Sequence, residues 1–206
     1  MNPIDRLTMA FERFPGIGPR QARRFVQYLL QSQAGYRTAL AEDIKKLGLN
    51  TFQCLECFRW SVKQGETNGI CSICGSAQRD KGILFVVEKD ADIETVERSG
   101  FKGLYFVLGS TIPLGSEEPE EKYTRAKELL ARAQEEGTQK KLKEIILGLS
   151  ATTEGDHTRL ILSEKLRPLS ETFDFKLSSL GRGLSTGSEL EYADPDTIQN
   201  ALNSRG

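Results

Sequence analysis

The sequence predicts a mixed α/β protein with an N-terminal helical module, a small four-cysteine module, a parallel-sheet α/β domain and a C-terminal strand and helix. Three observations lead to this fold class. Helical periodicity fills the N-terminal part, four cysteines cluster between positions 54 and 74, and short β-rich runs alternate with helical patterns from Gly82 onward. We therefore divide the chain into residues 1–52, 53–79, 80–178 and 179–206.

Length and composition are those of a folded protein. Hydrophobic residues make up 38% and charged residues 28% of the 206 residues, which excludes a disordered or fibrous chain. The longest apolar runs, at residues 83–87 and 104–108, are too short to cross a bilayer. Charged residues interrupt the N-terminal segment, which argues against a signal peptide, so we expect a cytoplasmic protein with no membrane partner.

The charge of the chain is unevenly distributed. Its net charge is −1, so any nucleic-acid site must be a local concentration of positive charge. Residues 1–30 provide one, because five arginines stand there against two acidic residues and give a net charge of +3. Compensating acid lies elsewhere, notably in the segment 117–121 (EEPEE).

Helical periodicity predicts three helices in the N-terminal module. The segment Pro15–Pro19 (PGIGP) ends the first helix, and Pro19 suits the first position of the second. The apolar positions that define the helices are Ile4, Leu7, Phe11 and Phe14 in the first, Ala22, Phe25, Val26, Leu29 and Leu30 in the second, and Leu40, Ile44 and Leu47 in the third.

The turn between the first two helices is a candidate DNA-binding site of the helix-hairpin-helix type. Gly16 and Gly18 allow a phosphate to approach the backbone closely, and the amides that open the second helix can donate to an anion. Arg20 and Arg24 lie one helical turn apart beside these glycines, and Arg23 shares the charged face. Such a site binds DNA without reading its sequence. The alternative is an ordinary helical hairpin whose arginines are only solvated.

The cysteine spacing predicts a metal site. Cys54-x2-Cys57 is followed after thirteen residues by Cys71-x2-Cys74, and each pair can present two thiolates from one tight turn. Four sulfur ligands fill a tetrahedral shell and leave no open position for a catalytic water, so we expect one structural zinc per chain. Gly75 favours such a turn after the second pair, whereas Phe58 in the matching position is less typical.

The alternation after residue 82 predicts a parallel sheet flanked by helices. Its last predicted strand covers 173–180 (FDFKLSSL), and a charged helix is predicted around 122–136. Asp194 and Pro195 open a final helix as an N-cap and a first helical residue. The predicted strands before the last are 83–87 (ILFVV), 103–108 (GLYFVL) and 144–149 (EIILGL).

The carboxyl ends of two predicted strands form a second candidate site. Glu88 follows the first strand, and residues 150–156 (SATTEGD) follow a later one, so both lie where open α/β sheets bind ligands. These segments resemble the Toprim fold shared by topoisomerases, primases and some nucleases. In catalytic Toprim proteins a DxD motif precedes the glycine and holds Mg²⁺. Here Ser150 and Thr152 occupy those positions.

Taken in order along the chain, the motifs resemble the RecR family of bacterial recombination mediators. They are PGIGPRQARRFVQYLL, the four cysteines, CGSAQRDKGILFVVE, the EGD turn and GRGLSTGSELEYAD, and they cover essentially the whole chain. The resemblance implies a homo-oligomer, from dimer to tetramer, that clamps DNA through residues 1–52 and joins subunits through residues 179–206. It also implies cooperation with RecO or RecF in loading recombinase onto single-stranded DNA, and no catalytic activity.

The sequence departs from the family pattern at several points. The stretch between Cys57 and Cys71 is longer than usual, residues 106–110 read FVLGS where the family commonly has HVLGG, and the acidic segment 117–121 is unusual. Glu88 and Glu154 are candidate contacts for a basic partner, or else remnants of a catalytic site or helix-capping acids.

Two alternative functions stay open at the level of sequence. The first is a Mg²⁺-dependent Toprim nuclease or primase-like enzyme, which would need the carboxylates that Ser150 and Thr152 do not provide. The second is a zinc-dependent protein adaptor that does not touch DNA. The DNA clamp and the enzyme should bind DNA, whereas the adaptor should not. The DNA affinity of a phosphate clamp should fall steeply as the salt concentration rises.

Overall fold

Residues 1–63, 68–181, 187 and 189–203 are described by a computed structural model of the protein. The chain divides into two units, residues 1–52 and residues 53–206. Each unit is described separately below.

The first unit is built from three helices, as the periodicity predicts. They are α1 (Pro3–Glu12), α2 (Pro19–Gln31) and α3 (Ala34–Asn50), and α1 packs against α2. Asn2 caps α1, because its side-chain Oδ1 accepts a hydrogen bond from the Asp5 amide at 2.9 Å. Gly16 has a φ of +74° in the turn between α1 and α2, a left-handed conformation that favours glycine.

The second unit begins with the cysteine segment and continues as an α/β fold. Two short strands flank the first cysteine pair and pair with each other: β1 (Thr51–Gln53), which begins just before the boundary of the two units, and β2 (Trp60–Val62). The following elements are β3 (Asp80–Val87), α4 (Asp90–Arg98), β4 (Gly103–Val107), a 3₁₀ turn (Glu120–Lys122), α5 (Ala126–Thr138), β5 (Glu144–Gly148), α6 (Thr153–Phe173), β6 (Lys176–Ser179), a second 3₁₀ turn (Leu190–Tyr192) and α7 (Pro195–Asn203).

The parallel four-stranded sheet confirms the predicted α/β architecture. Its strand order is β4-β3-β5-β6, and every neighbouring pair is parallel. The chain runs from β3 to β4 on one side and then to β5 on the other, so the strand order switches between β3 and β5. Open α/β sheets commonly form a ligand-binding crevice at such a switch. All five residues of β4 and the last four of β3 are buried, as expected for strands covered on both faces.

Several boundaries differ from the sequence prediction, among them the start of β3, which begins at Asp80 and not at Ile83. The segment 173–180 is not one strand, because α6 continues through Phe173 and Asp174 then takes a left-handed conformation with φ of +56°. An aspartate tolerates this C-cap position, so the strand begins only at Lys176. The charged helix begins at Ala126, after a separate 3₁₀ turn at Glu120–Lys122, and not at residue 122.

The core of the second unit lies between the sheet and its helices and extends into the cysteine segment. Leu84, Phe106, Ile145 and Leu162 are fully or almost fully buried within it, and all four cysteines belong to the same apolar cluster. This continuity shows that the cysteine segment packs on the α/β fold and is not a separate finger.

The C-terminal segment is described only in part. Asp194 caps α7 as predicted, since the Thr197 amide donates to its Oδ1 at 2.8 Å. The predicted oligomerisation segment, 179–206, includes residues 182–186, 188 and 204–206, which lie outside the described residues. Residues 64–67, within the unusually long stretch between Cys57 and Cys71, also lie outside them.

Among the helices in the described part of the chain, none is long and apolar enough to span a membrane.

Candidate nucleic-acid interface and metal centre

The hairpin turn leaves the start of α2 open to a ligand. Gly18 is the N-cap of α2 and has no side chain to satisfy the first amides, which lack partners within the helix. Its φ is −87°, and a Cβ placed on it would meet no atom within 4 Å. Nothing in the described chain therefore requires a glycine at position 18, and its small size leaves the backbone accessible from outside.

The three arginines predicted to bind DNA lie on the surface of α2. Arg20, Arg23 and Arg24 are all exposed. None of them takes part in the ion pairs found among the described residues. Three unpaired guanidinium groups beside an open helix N-terminus form a surface that attracts anions, because their charges are not neutralised locally.

The four predicted metal ligands come together as one buried cluster. The Sγ atoms of Cys54, Cys57, Cys71 and Cys74 all lie within 4.8 Å of one another, and Cys57 Sγ lies 3.6 Å from Cys71 Sγ. Zn–S bonds of about 2.3 Å in a tetrahedron place sulfur atoms about 3.8 Å apart. The cluster therefore has the size and the chemistry of a structural zinc site.

Backbone amides also point at the sulfur atoms. The Cys71 amide lies 3.3 Å from Cys54 Sγ, and the Cys74 amide lies 3.5 Å from Cys71 Sγ. Such N–H···S contacts stabilise negative charge on thiolates and orient them towards a cation. The backbone amides thus favour the thiolate form of Cys54 and Cys71.

Both cysteine pairs lie in the same kind of tight turn, but the conformation differs at its end. The Phe58 amide donates to Cys54 O, and the Gly75 amide donates to Cys71 O, each at 2.9 Å. Phe58 is the residue with a left-handed backbone, at φ of +61°, whereas Gly75 is not among the residues with positive φ. The sequence suggested that Gly75 supplies the flexibility, and the structure places the strained backbone at Phe58 instead.

The Phe58 side chain explains why a bulky residue holds this position. Its ring packs edge-on against Phe106 of β4, with 5.4 Å between the ring centroids. The Arg125 guanidinium carbon lies over the Phe58 ring, 5.3 Å from its centroid, and Arg125 also donates to Val107 O at 3.1 Å. The contacts with the ring compensate for the unfavourable backbone conformation.

Hydrogen bonds join the first cysteine turn directly to the sheet. The Val107 amide at the end of β4 donates to Cys57 O at 2.9 Å. Arg132 on α5 donates to Glu56 O at 2.8 Å and is held in place by Glu136, whose Oε1 lies 2.8 Å from its Nε. The metal-site turn is therefore fixed to both β4 and α5.

A second junction lies where the cysteine segment enters β3. Arg79 forms a two-point ion pair with Glu97 of α4, and the Tyr105 hydroxyl donates to the same carboxylate at 2.6 Å. The hydrogen bonds from Arg79 lower the pKa of Glu97, and burial together with the neighbouring carboxylate raises the pKa of Tyr105. This network holds the cysteine segment, α4 and β4 in a fixed arrangement.

Glu88 lies at the carboxyl end of β3, beside the crevice predicted from the sequence. It is only 6% exposed. The Ser150 hydroxyl donates to its Oε2 at 2.6 Å, and Lys89 Nζ lies 3.0 Å from its Oε1. Burial opposes ionisation, but the Ser150 hydrogen bond and the Lys89 charge hold the pKa of Glu88 below the ordinary value.

The two residues at the positions of the Toprim carboxylates make internal hydrogen bonds. Ser150 bonds to Glu88, and Thr152 is the N-cap of α6, where its Oγ1 accepts from the Gly155 amide at 3.1 Å. A Cβ on Gly155 would lie 2.0 Å from Ser150 O, so only glycine fits at this point of the turn. The turn is built around these hydroxyl groups.

Glu154 has a different environment from Glu88. It is exposed at the start of α6, and Thr111 Oγ1 lies 3.4 Å from its Oε2. The loop after β4 is also tied to α6 by the Ile112 amide, which donates to Thr158 Oγ1 at 2.8 Å. Of the two acids predicted to contact a partner, Glu154 is the accessible one.

The fold and these sites define the class of protein: a helix-hairpin-helix module joined to a four-cysteine segment and a Toprim-type α/β fold. Three family models match the chain accordingly. Residues 4–47 match the RecR helix-hairpin-helix model, residues 82–174 match the Toprim domain and residues 183–205 match the RecR C-terminal model.

Curated relatives with similar sequences cover almost the whole chain. The recombination protein RecR of Herpetosiphon aurantiacus is 38% identical over 98% of this chain and 93% of the relative. The RecR proteins of Rickettsia bellii and Rubrobacter xylanophilus are 36% and 34% identical, over 99% and 98% of this chain and 96% and 95% of the relatives. The chain belongs to the recombination protein RecR family, as its motifs predicted.

Proposed function

We propose that the protein is a non-catalytic mediator of recombinational DNA repair. Membership of the RecR family implies a role in this process. In our proposal the protein assembles into a ring-shaped clamp, holds DNA without reading its sequence, and works with a RecO- or RecF-type partner to load recombinase onto single strands. The observation that carries the proposal is the group of exposed, unpaired arginines at the open start of α2.

Phosphate binding follows from the physics of this surface. A helix N-terminus presents unpaired amides and a partial positive charge, and Arg20 and Arg24 add two full charges one turn apart. The accessible backbone at Gly18 allows close approach of a phosphate. None of these groups distinguishes one base pair from another, so the binding is independent of sequence.

The proposed metal is zinc, held by Cys54, Cys57, Cys71 and Cys74. The size of the sulfur cluster, its burial and the amides directed at the thiolates support this assignment. With four sulfur ligands the metal has no position left for a reacting water. Its proposed role is to stabilise the cysteine segment, which has few apolar residues of its own.

The absence of catalysis is proposed from the residues at the Toprim crevice. Magnesium-dependent phosphoryl chemistry needs several carboxylates converging on the ions. At the two positions that would supply them, the hydroxyls of Ser150 and Thr152 already bond to Glu88 and to the Gly155 amide. In place of ligands for a cation, this crevice has a closed set of internal hydrogen bonds.

Homo-oligomer formation is supported by an apolar groove in the first unit. The groove has a volume of about 420 Å³, and several residues lining it are large and exposed, including Leu7, Phe14, Leu30 and Ile44. A contiguous exposed apolar face of this kind is typical of a protein–protein contact. A ring of subunits would also sum several modest basic patches into one strong DNA clamp.

The proposed partner contact lies at the crevice end of the sheet. Glu154 is exposed there and can pair with a basic group on a RecO- or RecF-type protein. Glu88 is already engaged with Ser150 and Lys89, so it is the less available of the two acids for a partner.

The test is DNA binding at several salt concentrations by protein whose zinc content and oligomeric mass are known. We expect wild-type affinity to fall steeply with salt, and Arg20→Glu with Arg24→Glu to weaken binding and flatten the salt dependence by about one unit of slope per lost phosphate contact. The matched control is Lys45→Glu with Lys46→Glu, which makes the same charge change on α3, away from the hairpin turn.

Other outcomes separate the alternative functions. If the arginine variant and the lysine variant bind DNA equally well, the hairpin is not the DNA site. A zinc-loaded oligomer that binds no DNA indicates the protein adaptor. Cleavage of DNA that requires Mg²⁺ and is lost in Glu88→Gln indicates the Toprim enzyme.

A further inference from the structure

A second groove in the first unit lies beside the arginines of α2 and is rich in aromatic residues. It has a volume of about 530 Å³. Gln21, Arg24, Phe25 and Tyr28 line it from α2, and Tyr36 lines it from α3. The four α2 residues recur at helical spacing, so they form one continuous stripe that starts next to the phosphate site proposed above.

The aromatic rings of this groove are held in position but remain accessible. Tyr28 and Tyr36 are 61% and 48% exposed, and their rings meet edge-on with centroids 6.1 Å apart. Phe25 packs in the same edge-on manner against Phe11 of α1, with centroids 5.7 Å apart. Each contact orients a ring, and the exposure of Tyr28 and Tyr36 leaves part of each ring accessible to a ligand.

The chemistry of the groove fits a nucleobase. A base has flat apolar faces that stack on aromatic rings and a polar edge that hydrogen-bonds to amide or hydroxyl groups. Tyr28 and Tyr36 supply the rings, and Gln21 supplies an amide with both donors and an acceptor. Arg24 provides a charge for the phosphate that accompanies the base.

The two grooves of the first unit share Phe11, Leu29 and Leu40, but the rest of their lining differs in chemistry. The groove proposed above as a subunit contact is lined mainly by aliphatic and phenylalanine side chains, including Leu7, Leu30 and Ile44. The aromatic groove mixes rings with Gln21 and Arg24, and the segment around it carries a net positive charge. Its charge complements that of a nucleic acid.

We propose that this aromatic groove binds unpaired bases of single-stranded DNA by stacking them on Tyr28 and Tyr36. The inference rests on the proposed DNA-binding function and adds a preference for single strands. The hairpin turn holds the phosphates, and the stripe along α2 leads to Tyr28, eight residues beyond Arg20, a distance of about 12 Å at the rise of an α-helix. Paired bases are already stacked in a duplex and cannot enter.

The experiment compares three DNA ligands with the full zinc-loaded protein: an oligothymidine, an abasic strand of the same length, and a duplex. We expect the oligothymidine to bind about tenfold more tightly than the abasic strand, which corresponds to the stacking of one base. Tyr28→Leu with Tyr36→Leu should reduce oligothymidine binding to the abasic level without changing the salt dependence. The fluorescence of a strand that carries 2-aminopurine should be quenched by the wild-type protein and not by this variant.

Two control variants make the test specific to stacking. Tyr28→Phe with Tyr36→Phe keeps both rings and should retain the preference for bases. Gln27→Ala changes an exposed residue of α2 that does not line the groove and should behave as wild type.

The outcomes that overturn the inference are distinct from those that overturn the proposed function. Salt-dependent binding that is equal for the oligothymidine and the abasic strand removes the stacking site and leaves the DNA clamp. A change of oligomeric mass in the leucine variant, measured by sedimentation, shows that the groove is a subunit contact and overturns the inference. If wild-type protein binds none of the three ligands, both the clamp and the stacking site fail.

Discussion

The two units of the chain bury their residues to very different extents. In residues 1–52, only Thr8, Ala22 and Val26 are buried, and many large apolar side chains of the three helices are exposed. In residues 53–206, the sheet, its helices and the four cysteines share one buried cluster that includes no residue of the first unit. The first unit therefore draws little stability from a core of its own.

This difference in burial indicates that the two units have different roles, stability in the second and binding in the first. The second unit is stabilised by its own packing, by the contacts of Arg79 and Arg132 and by the proposed metal. The first unit presents apolar and charged surfaces that its own fold leaves uncovered. We expect substitutions in the second unit to change stability directly, and substitutions on the surface of the first to act mainly through binding.

The largest expected effect is the loss of a metal ligand. Cys71→Ser should abolish stoichiometric zinc and lower the free energy of unfolding by more than about 4 kcal/mol, because metal binding to such sites is coupled to folding. Metal analysis and thermal unfolding measure the two effects. The control is Ser72→Ala, because Ser72 is exposed and lies between Cys71 and Cys74 without contributing a sulfur ligand. This variant should keep its zinc. Wild-type protein without zinc, together with a stable Cys71→Ser variant, would refute the assignment.

An intermediate effect is expected from truncating the core of the second unit. Leu162 is 0% exposed, and Leu162→Ala should cost about 2–5 kcal/mol because it leaves a cavity. The same change at Leu47, which is 66% exposed in the first unit, should cost less than about 0.5 kcal/mol. Denaturant unfolding measures both. A large loss of unfolding free energy in Leu47→Ala would show that this face is covered in the assembled protein. It would contradict the contrast in burial between the two units.

The smallest expected effect is electrostatic and lies at the crevice. Glu88→Gln should lower the free energy of unfolding by about 1 kcal/mol at pH 7, because the Ser150 bond loses its charged acceptor and Lys89 loses its partner. The pKa of Glu88 is lowered in the folded protein, so its stabilising contribution is present above the ordinary pKa and disappears as the pH falls through the folded value.

The stability difference between wild type and Glu88→Gln should accordingly shrink below about pH 4.3, the ordinary value for glutamate. Unfolding measured across pH tests this. Glu94→Gln serves as the control, since Glu94 is exposed on α4 and makes no ion pair among the described residues. An unchanged difference down to acidic pH would mean that the Glu88 charge does not stabilise the crevice.

Periodicity and spacing were sufficient for the architecture. The alternation of β-rich and helical runs predicted the parallel sheet, because buried parallel strands are short and continuously apolar. The spacing of Cys54, Cys57, Cys71 and Cys74 predicted their convergence, since each turn is local and short. These features depend on residues close together in the sequence.

Contacts between distant residues could not be predicted in the same way. Nothing near Phe58 in the sequence indicates that it packs on Phe106 and under Arg125, and the left-handed backbone at Phe58 follows from those contacts. The sequence showed that Ser150 replaces a carboxylate, but not that its hydroxyl bonds to Glu88, 62 positions earlier. The missed strand start at Lys176 has a local cause, the left-handed Asp174.

The anchoring of the first cysteine turn has a consequence for protein engineering. Many small zinc-binding modules can be moved between proteins because their residues contact little beyond the metal. Here, excision of residues 53–79 would leave the Cys57 carbonyl without the Val107 amide and the Phe58 ring without Phe106 and Arg125. The segment is therefore not portable, and a chimera that exchanges it must carry β4 and the start of α5 along with the cysteines.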